Sequence, residues 1–228
     1  MPINLTPEEA RVCAVLIEKE LTTPEYYPMT ANALTNACNQ KSNRDPVVQY
    51  TETEVMRAFD HLRKLEFARL VEESASRSNK CRHRFVEMLR LTPPQTAVLC
   101  ELMLRGSQTL GELRTRAERM HKFTSLEEVE TTLNDLASEA HFAAHTYGKP
   151  LVVRLPRQAG QKEVRYAHLL CGEPSITNTS NDEPLKVSAA ASAAAHEKRI
   201  TALETELAAT KQELRALQEE LTAFKQQF

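Results

Sequence analysis

Residues 5–17 read Leu-Thr-Pro-Glu-Glu-Ala-Arg-Val-Cys-Ala-Val-Leu-Ile, and the pattern that they begin occurs twice in the chain. The opening Leu5-Thr6-Pro7 recurs as Leu91-Thr92-Pro93, 86 positions later. A second pair of blocks, Thr51-x-x-Glu54-Val55 and Ser125-x-x-Glu128-Val129, lies 74 positions apart. The chain is therefore a duplication. The first copy has about twelve more residues than the second between these blocks, and residues 23–28 and 40–50 are the candidates for the insertion.

Each copy is predicted to fold as three helices followed by a β-hairpin. Thr6 has the side chain of a helix N-cap, Pro7 suits the first helical position, and Glu9 completes a capping box. The blocks that begin at Thr51 and Ser125 have the same Thr/Ser-x-x-Glu pattern. We therefore expect the third helix of each copy to begin there.

Two β-rich runs follow the third helix in each copy. They are residues 67–71 and 81–88 in the first copy, and residues 151–155 and 164–170 in the second. Three helices and a hairpin within about 80 residues are typical of the winged-helix domain, a variant of helix-turn-helix. The predicted fold class is mainly α with small β-hairpins (α+β). It has tandem winged helix-turn-helix domains at residues 1–90 and 91–172.

The rest of the chain has a different pattern. Residues 173–186 are rich in Pro, Asn, Ser and Thr and predict a linker, whereas residues 187–228 carry a heptad repeat typical of a coiled coil. Opposite charges at the flanking heptad positions favour a parallel homodimer. The alternative is a single amphipathic helix that folds back on its own chain. The predicted dimer seam consists of Ile200, Leu203, Leu207, Leu214, Leu217, Leu221 and Phe224.

The composition is that of a globular protein, with 41% hydrophobic and 26% charged residues and a formal net charge of −2. No apolar run approaches the length of a membrane span, and the N-terminus lacks the pattern of a secretory signal. Five cysteines without C-x-x-C spacing fit a reducing compartment. We therefore expect a cytoplasmic protein that does not bind a membrane.

No motif typical of an enzyme or a metal site occurs in the sequence. The five glycines are scattered, and there is no glycine-rich phosphate loop, no G-x-S-x-G and no H-E-x-x-H. Cys81, His83, His141 and His145 could be ligands, but they lack a recurring zinc spacing. The sequence predicts a protein that is not an enzyme and has no catalytic residues, metal site or cofactor.

The overall charge does not indicate whether the chain binds nucleic acid. Residues 1–90 contain 13 basic and 13 acidic side chains, and residues 91–172 contain 10 and 9, so neither copy has a basic excess. In a winged helix the third helix normally enters the major groove. Here it opens with Glu52 and Glu54 in one copy and with Glu127 and Glu128 in the other, and these carboxylates repel phosphates.

Basic and amide side chains elsewhere are the candidates for nucleic-acid contacts. Arg82 and Arg84 are expected on one face of a hairpin strand. The loop of residues 39–46 holds side chains that can read base edges, although Asn and Asp beside Pro also build turns. The predicted contact residues are Asn39, Gln40, Lys41, Asn43, Arg44, Arg82, Arg84, Arg114, Arg154, Arg157, Lys162 and Arg165.

Several blocks resemble the bacterial YceH-like family. They include Thr22-Thr23-Pro24-Glu25, Ala37-Cys38-Asn39-Gln40-Lys41 and Val152-Val153-Arg154-Leu155-Pro156-Arg157, and the resemblance extends from about Leu5 to Gly172. It implies tandem winged-helix domains in a cytoplasmic bacterial protein, often with a C-terminal coiled coil. The family has no established activity, so no residue acquires a role from the resemblance.

Two hypotheses of function follow from these patterns. The leading hypothesis is a non-enzymatic, dimeric DNA-associated regulator that uses the basic and amide residues named above, and the scaffold described next is the alternative. A protein-interaction scaffold would instead dock a partner on its winged helices and dimerise through its coiled coil, without binding nucleic acid. Winged-helix domains occur both in DNA-binding proteins and in protein-interaction scaffolds, so fold analogy does not choose between the two hypotheses. The salt dependence of nucleic-acid binding would distinguish the two hypotheses, because phosphate contacts weaken steeply as the salt concentration rises.

Overall fold

A computed structural model describes residues 3–72, 79–139, 149–157 and 163–174. These residues belong to one compact unit, Met1–Asn178. The predicted coiled coil of residues 187–228, with all of its seam residues, lies outside the described residues, and so does Lys162. The parallel homodimer therefore stays a prediction.

The described residues form seven α-helices, one 3₁₀ turn and four short strands, so the mixed α+β class is confirmed. Each copy has three helices followed by a hairpin, and a short helix joins the two copies. In chain order the elements are α1 (Pro7–Thr22), the 3₁₀ turn (Pro24–Tyr26), α2 (Ala31–Cys38), α3 (Glu52–Lys64), β1 (Ala68–Val71), β2 (Lys80–His83), α4 (Phe85–Leu89), α5 (Pro93–Arg105), α6 (Leu110–Ala117), α7 (Leu126–Ala137), β3 (Val152–Arg154) and β4 (Tyr166–His168).

The helices begin where the capping patterns predict. The Thr6 hydroxyl accepts a hydrogen bond from the Glu9 N–H at 3.3 Å, and a Glu9 carboxylate oxygen accepts one from the Thr6 N–H at 3.0 Å. Thr51 forms the same reciprocal box at the start of α3. The equivalent helix starts of the two copies are 86, 79 and 74 residues apart. The extra residues of the first copy are therefore shared between the regions before and after α2.

The hairpins are shorter than the sequence predicts. β1 pairs antiparallel with β2, and β3 pairs antiparallel with β4. The prediction of a strand through Met88 was wrong, because α4 begins directly after β2. Phe85 and Leu89 are both buried and lie four residues apart, which places them on one face of a helix.

A third extended segment joins each hairpin, which the sequence did not predict. Met29 pairs with Cys81 in the first copy, and Gln108 pairs with Tyr166 in the second. Each pair exchanges two backbone hydrogen bonds of 2.6–3.1 Å. Met29 and Gln108 both precede the N-cap of their copy's second helix. The same three-part sheet therefore lies beside the three helices of both copies.

The first helices of the two copies, α1 and α5, form the centre of this unit. Ten consecutive residues are buried in each, Glu9–Glu18 and Gln95–Leu104. A helix that packs on one side buries only a stripe. These two helices are instead covered all round: α1 contacts α2, α3 and β2 of its own copy and α5 of the other. The two copies thus share one continuous core.

One hydrogen bond between α1 and α5 joins equivalent positions of the two copies. The Cys100 thiol donates a hydrogen bond to the backbone carbonyl oxygen of Ala14 at 3.3 Å. These residues are 86 positions apart, which is also the offset between the two helices. Equivalent positions meet in this way when two halves are related by an approximate two-fold axis, as in the isologous interface of a symmetric dimer.

Candidate binding surfaces

The amide-rich loop of residues 39–46 is folded around a buried arginine. The Arg44 side chain has no exposed surface, and its guanidinium makes hydrogen bonds of 3.0 and 2.5 Å to the two carboxylate oxygens of Glu18. It also donates to the backbone carbonyl oxygen of Ala37 and to the Gln40 side chain. The expectation that Arg44 contacts nucleic acid is therefore corrected, because a fully buried, bidentate group is not available to a phosphate.

Other residues of the same loop also build its turn. The Asn39 side chain donates to the Tyr50 carbonyl oxygen at 2.8 Å and accepts from the Tyr50 N–H at 2.7 Å. Asn43 has a left-handed φ of 55°, and its side-chain oxygen accepts from Arg105 at 3.4 Å. Lys41 is exposed. The turn-building alternative accounts for Asn39, and nothing in this geometry points to base reading.

Arg119 connects the two copies through the same site. Its guanidinium lies 2.6 Å from a Glu18 oxygen and 2.9 Å from a Glu101 oxygen, and both carboxylates are 1% exposed. Glu18, Arg44, Glu101 and Arg119 together form what we call the buried ionic cluster. Its two carboxylates balance its two arginines, which is the condition for burying charge without a large cost.

The two carboxylates of the buried ionic cluster differ in their pKa values. Burial acts to raise the pKa of Glu18, but the hydrogen bond and charge of Arg44, together with the charge of Arg119, hold that pKa below its usual value. Glu101 has Arg119 as its nearest cation, and burial raises its pKa. Glu18 is thus the better neutralised of the two, which indicates a structural role.

The outer face of the first hairpin is basic. Arg69 lies directly opposite Arg82 across the two strands, and Lys80 points to the same side as Arg82. Glu20 lies 3.3 Å from Arg82 and offsets one of these charges. Arg69 is not among the predicted contact residues, although its position in the run Phe67–Val71 places it on the outward face of that strand.

The other predicted arginines lie outside the outer face of the first hairpin. Arg84 lies beyond the end of β2, so the two do not share a strand face, and Arg84 pairs with Glu87 at 3.4 Å. Arg165 lies 3.1 Å from Glu112 and donates to the Ser107 carbonyl oxygen. Exposed positions of the second copy hold three more of the predicted arginines, Arg114, Arg154 and Arg157.

A groove of about 980 Å³ separates the start of α1 from the outer face of α3. We call it the α1–α3 groove. Buried Ala58 and half-buried Met56 give it an apolar floor. Five carboxylates and two permanent cations line it. The lining side chains are Thr6, Glu8, Glu9, Glu52, Thr53, Glu54, Met56, Arg57, Ala58, Asp60, His61 and Lys64.

The carboxylates of the groove differ in how far they are engaged. Glu9 is nearly buried, and one of its oxygens lies 2.6 Å from the His61 ring nitrogen Nδ1. Glu54 accepts hydrogen bonds from the backbone and side chain of Thr51, which lower its pKa and keep it ionised. Among the described residues, Glu8 and Glu52 have no ion-pair partner within 4.0 Å. The groove is therefore anionic at neutral pH.

The third helix of the second copy, α7, is acidic on the face that corresponds to the groove-lining face of α3. An offset of 74 places Glu130 at the position of Met56 and Asp135 at that of His61. Both are exposed, as is Glu127, and α7 contains no lysine or arginine. The sequence predicts carboxylates at the tips of the third helices. The structure extends the negative charge along α7, whereas α3 has three carboxylates and three permanent cations in all.

Neither metal binding nor thiol chemistry is indicated in this part of the chain. Within the ranges that the structure describes, no three His, Cys, Asp or Glu side chains lie close enough to hold a metal ion. Burial raises the pKa of Cys81 to about 11 and that of Cys38 to about 12, so both stay protonated at neutral pH. None of the described helices combines the length and apolar composition needed to cross a bilayer.

Comparison with known proteins gives matches along most of the chain. Residues 5–161 match a family model described as "Protein of unknown function, DUF480". A UPF0502 protein of Geotalea uraniireducens is 52% identical over 228 residues, and one of Geobacter sulfurreducens is 51% identical over 228, each match covering both chains completely. A UPF0502 protein of Vibrio campbellii is 45% identical over 214 residues, 91% of this chain and 92% of the relative. The YceH-like name stays a prediction.

Proposed function

The chain belongs to the DUF480 family of bacterial proteins of unknown function, and we propose that it is a non-enzymatic tandem winged-helix protein that binds a protein partner. The repeated order of three helices and a hairpin supports the winged-helix description. The bridges Met29–Cys81 and Gln108–Tyr166 place a third extended segment at the equivalent position beside each hairpin. The proposal retains the homodimer through residues 187–228 and a cytoplasmic location.

The acidic outer face of α7 and the acidic first turn of α3 are the observation that carries this proposal. A third helix in the major groove brings its outer face within a few ångströms of phosphates on both sides. A carboxylate about 4 Å from a phosphate is repelled by about 1 kcal/mol in water and by about 4 kcal/mol near a protein surface. Several such pairs along α7, and those at the first turn of α3, oppose DNA binding by these helices, whereas they do not oppose a protein surface.

Nucleic-acid binding through the first hairpin is the second candidate function. Arg69, Lys80 and Arg82 share its outer face, and like charges directly opposite each other weaken a hairpin. A polyanion would relieve that repulsion. In this arrangement the hairpin would contact phosphates, and both third helices would face away from the duplex.

Fluorescence anisotropy with a labelled DNA duplex of mixed sequence separates the two candidates. We expect no complex at about 50 mM salt with micromolar protein, where phosphate contacts are strong. A complex that is lost at about 200 mM salt and weakened by Arg69→Ala with Arg82→Ala would establish the second candidate. A complex weakened by Arg57→Ala on α3 would instead overturn the protein-partner proposal.

A further inference from the structure

We propose that the α1–α3 groove binds a cationic, amphipathic segment of a partner protein, with an apolar side chain of that segment seated on Met56. This inference rests on the proposed function and adds the chemistry of the partner. Its basis is the arrangement of charge, shape and apolar surface around the groove.

The charge of the groove comes from two separate helices. Glu8 and Glu9 belong to the first turn of α1, and Glu52, Glu54 and Asp60 belong to α3. Arg57 and Lys64 offset two of these five carboxylates, so the groove has a formal charge of −3 with His61 neutral. Lysine or arginine side chains that enter between the helices would meet carboxylates on both walls. Such a cation gains more favourable electrostatic energy than it would on an acidic surface with carboxylates on one side only.

The floor of the groove indicates that the partner is not a simple cation. Ala58 is buried and Met56 is half-buried, while Glu52, Glu54 and Asp60 are exposed. A methionine side chain is flexible and polarisable and adapts to different apolar groups. An apolar floor with a charged rim is the common arrangement of grooves that receive an amphipathic helix. The volume of about 980 Å³ is at the upper end of the range for ligand sites.

The second copy lacks part of this arrangement, which makes the site specific to the first. An offset of 86 places Pro94 and Gln95 of α5 at the positions of Glu8 and Glu9. An offset of 74 places Glu130 at the position of Met56. The wall from the first helix is therefore uncharged in the second copy, and the apolar floor residue is replaced by a carboxylate. We assign the binding site to the first copy for this reason.

The test uses the full chain and two labelled peptides of about 15 residues, the length at which a helix becomes marginally stable. One peptide has leucine on one face and lysine on the other, and the second has glutamate in place of every lysine. Fluorescence anisotropy should show saturable binding of the lysine peptide alone. Its Kd should rise at least about tenfold when salt is raised from about 50 to about 300 mM, because screening weakens exposed charge pairs.

Two double variants locate the site. Glu8→Lys with Glu52→Lys should raise the Kd of the lysine peptide at least about tenfold, since it places like charges on both walls. Glu25→Lys with Glu118→Lys makes the same change in net charge at exposed positions outside the groove. This matched control should change the Kd by less than about twofold.

Three results would overturn the inference: equal binding of the glutamate peptide, an equal loss in the control variant, or no saturation at millimolar lysine peptide. Each leaves the proposed function standing, because it concerns only the chemistry of the partner. A labelled DNA duplex that binds the chain directly at moderate salt, and less tightly after Arg57→Ala, would contradict both proposals together.

Discussion

The two copies have the same order of elements but bury different side chains at equivalent positions. Glu18 in α1 corresponds, at an offset of 86, to Leu104 in α5, and both side chains are fully buried. The first copy supplies Arg44 from the loop between its second and third helices. The equivalent connection of the second copy is five residues shorter. A buried charge and the loop that neutralises it therefore occur together, and the shared fold requires neither.

The histidines of the second hairpin strands differ in the same way. His83 faces Ala68 across its hairpin, and His168 faces Val152 in the equivalent register. A Glu20 oxygen lies 2.7 Å from the His83 ring nitrogen Nε2. The offset of 86 places Gly106 where the first copy has Glu20. His83 thus has a carboxylate close to its ring, whereas the buried Nδ1 atom of His168 has no hydrogen-bond partner among the described residues.

Separating the copies should have the largest effect. A fragment of residues 1–90 would lose the α5 contact that completes the burial of α1, and it would leave Glu18 without Arg119. We expect this fragment to show no cooperative thermal transition by circular dichroism, in contrast to the full chain. A sharp transition in the fragment would show that the copies fold as the separate domains that the sequence suggests.

Removing Arg44 should have the next largest effect. Arg44→Leu leaves the Glu18 carboxylate buried with one cation instead of two, and such a loss costs about 3–5 kcal/mol of unfolding free energy. Urea denaturation monitored by circular dichroism measures the change. Arg84→Leu is the matched control, since Arg84 forms a partly exposed pair that contributes at most about 1 kcal/mol.

The double variant Glu18→Leu with Arg44→Leu tests the comparison itself. It gives the first copy the apolar residue that the second copy has at position 104, and Arg119 keeps Glu101 as its partner. We expect it to recover most of the stability lost in Arg44→Leu, because a buried ion pair replaced by apolar residues is often neutral. A double variant as unstable as the single one would mean that the charges hold the loop in place.

The helix starts could be predicted from the sequence because they depend on local contacts. The capping boxes at Thr6 and Thr51 involve residues three positions apart, and the structure has both. The helix α4 could not be predicted in this way, since Phe85 is buried in either a strand or a helix. The pairing of Met29 with Cys81 was also missed, because it joins segments about fifty residues apart.

The candidate surfaces were predicted only in part for the same reason. The acidic tips of α3 and α7 are visible in the sequence, but the second wall of the groove depends on α1 lying beside α3. Arg44 was expected at the surface because its partner Glu18 lies 26 positions earlier, with no pattern that connects them. Composition therefore indicated which charges exist, and the tertiary contacts decide which of them face the solvent.

The pH dependence of His168 should give the smallest of these effects. Burial lowers the pKa of His168 from 6.5 to about 4, and its Nδ1 atom has no hydrogen-bond partner among the described residues. Between these two pH values the unfolded chain binds a proton at this residue that the folded chain does not. The free energy of unfolding should therefore fall by roughly 2–3 kcal/mol as the pH drops from about 6.5 to about 4.

The variant His168→Leu isolates this contribution from the carboxylates that titrate in the same range. Its free energy of unfolding relative to the unmodified chain should increase steadily as the pH falls through that window. The reason is that the variant has no imidazole at this position whose protonation favours the unfolded state. An NMR titration of the His168 ring should place its midpoint near pH 4. A midpoint near the ordinary histidine value would mean that solvent reaches the ring.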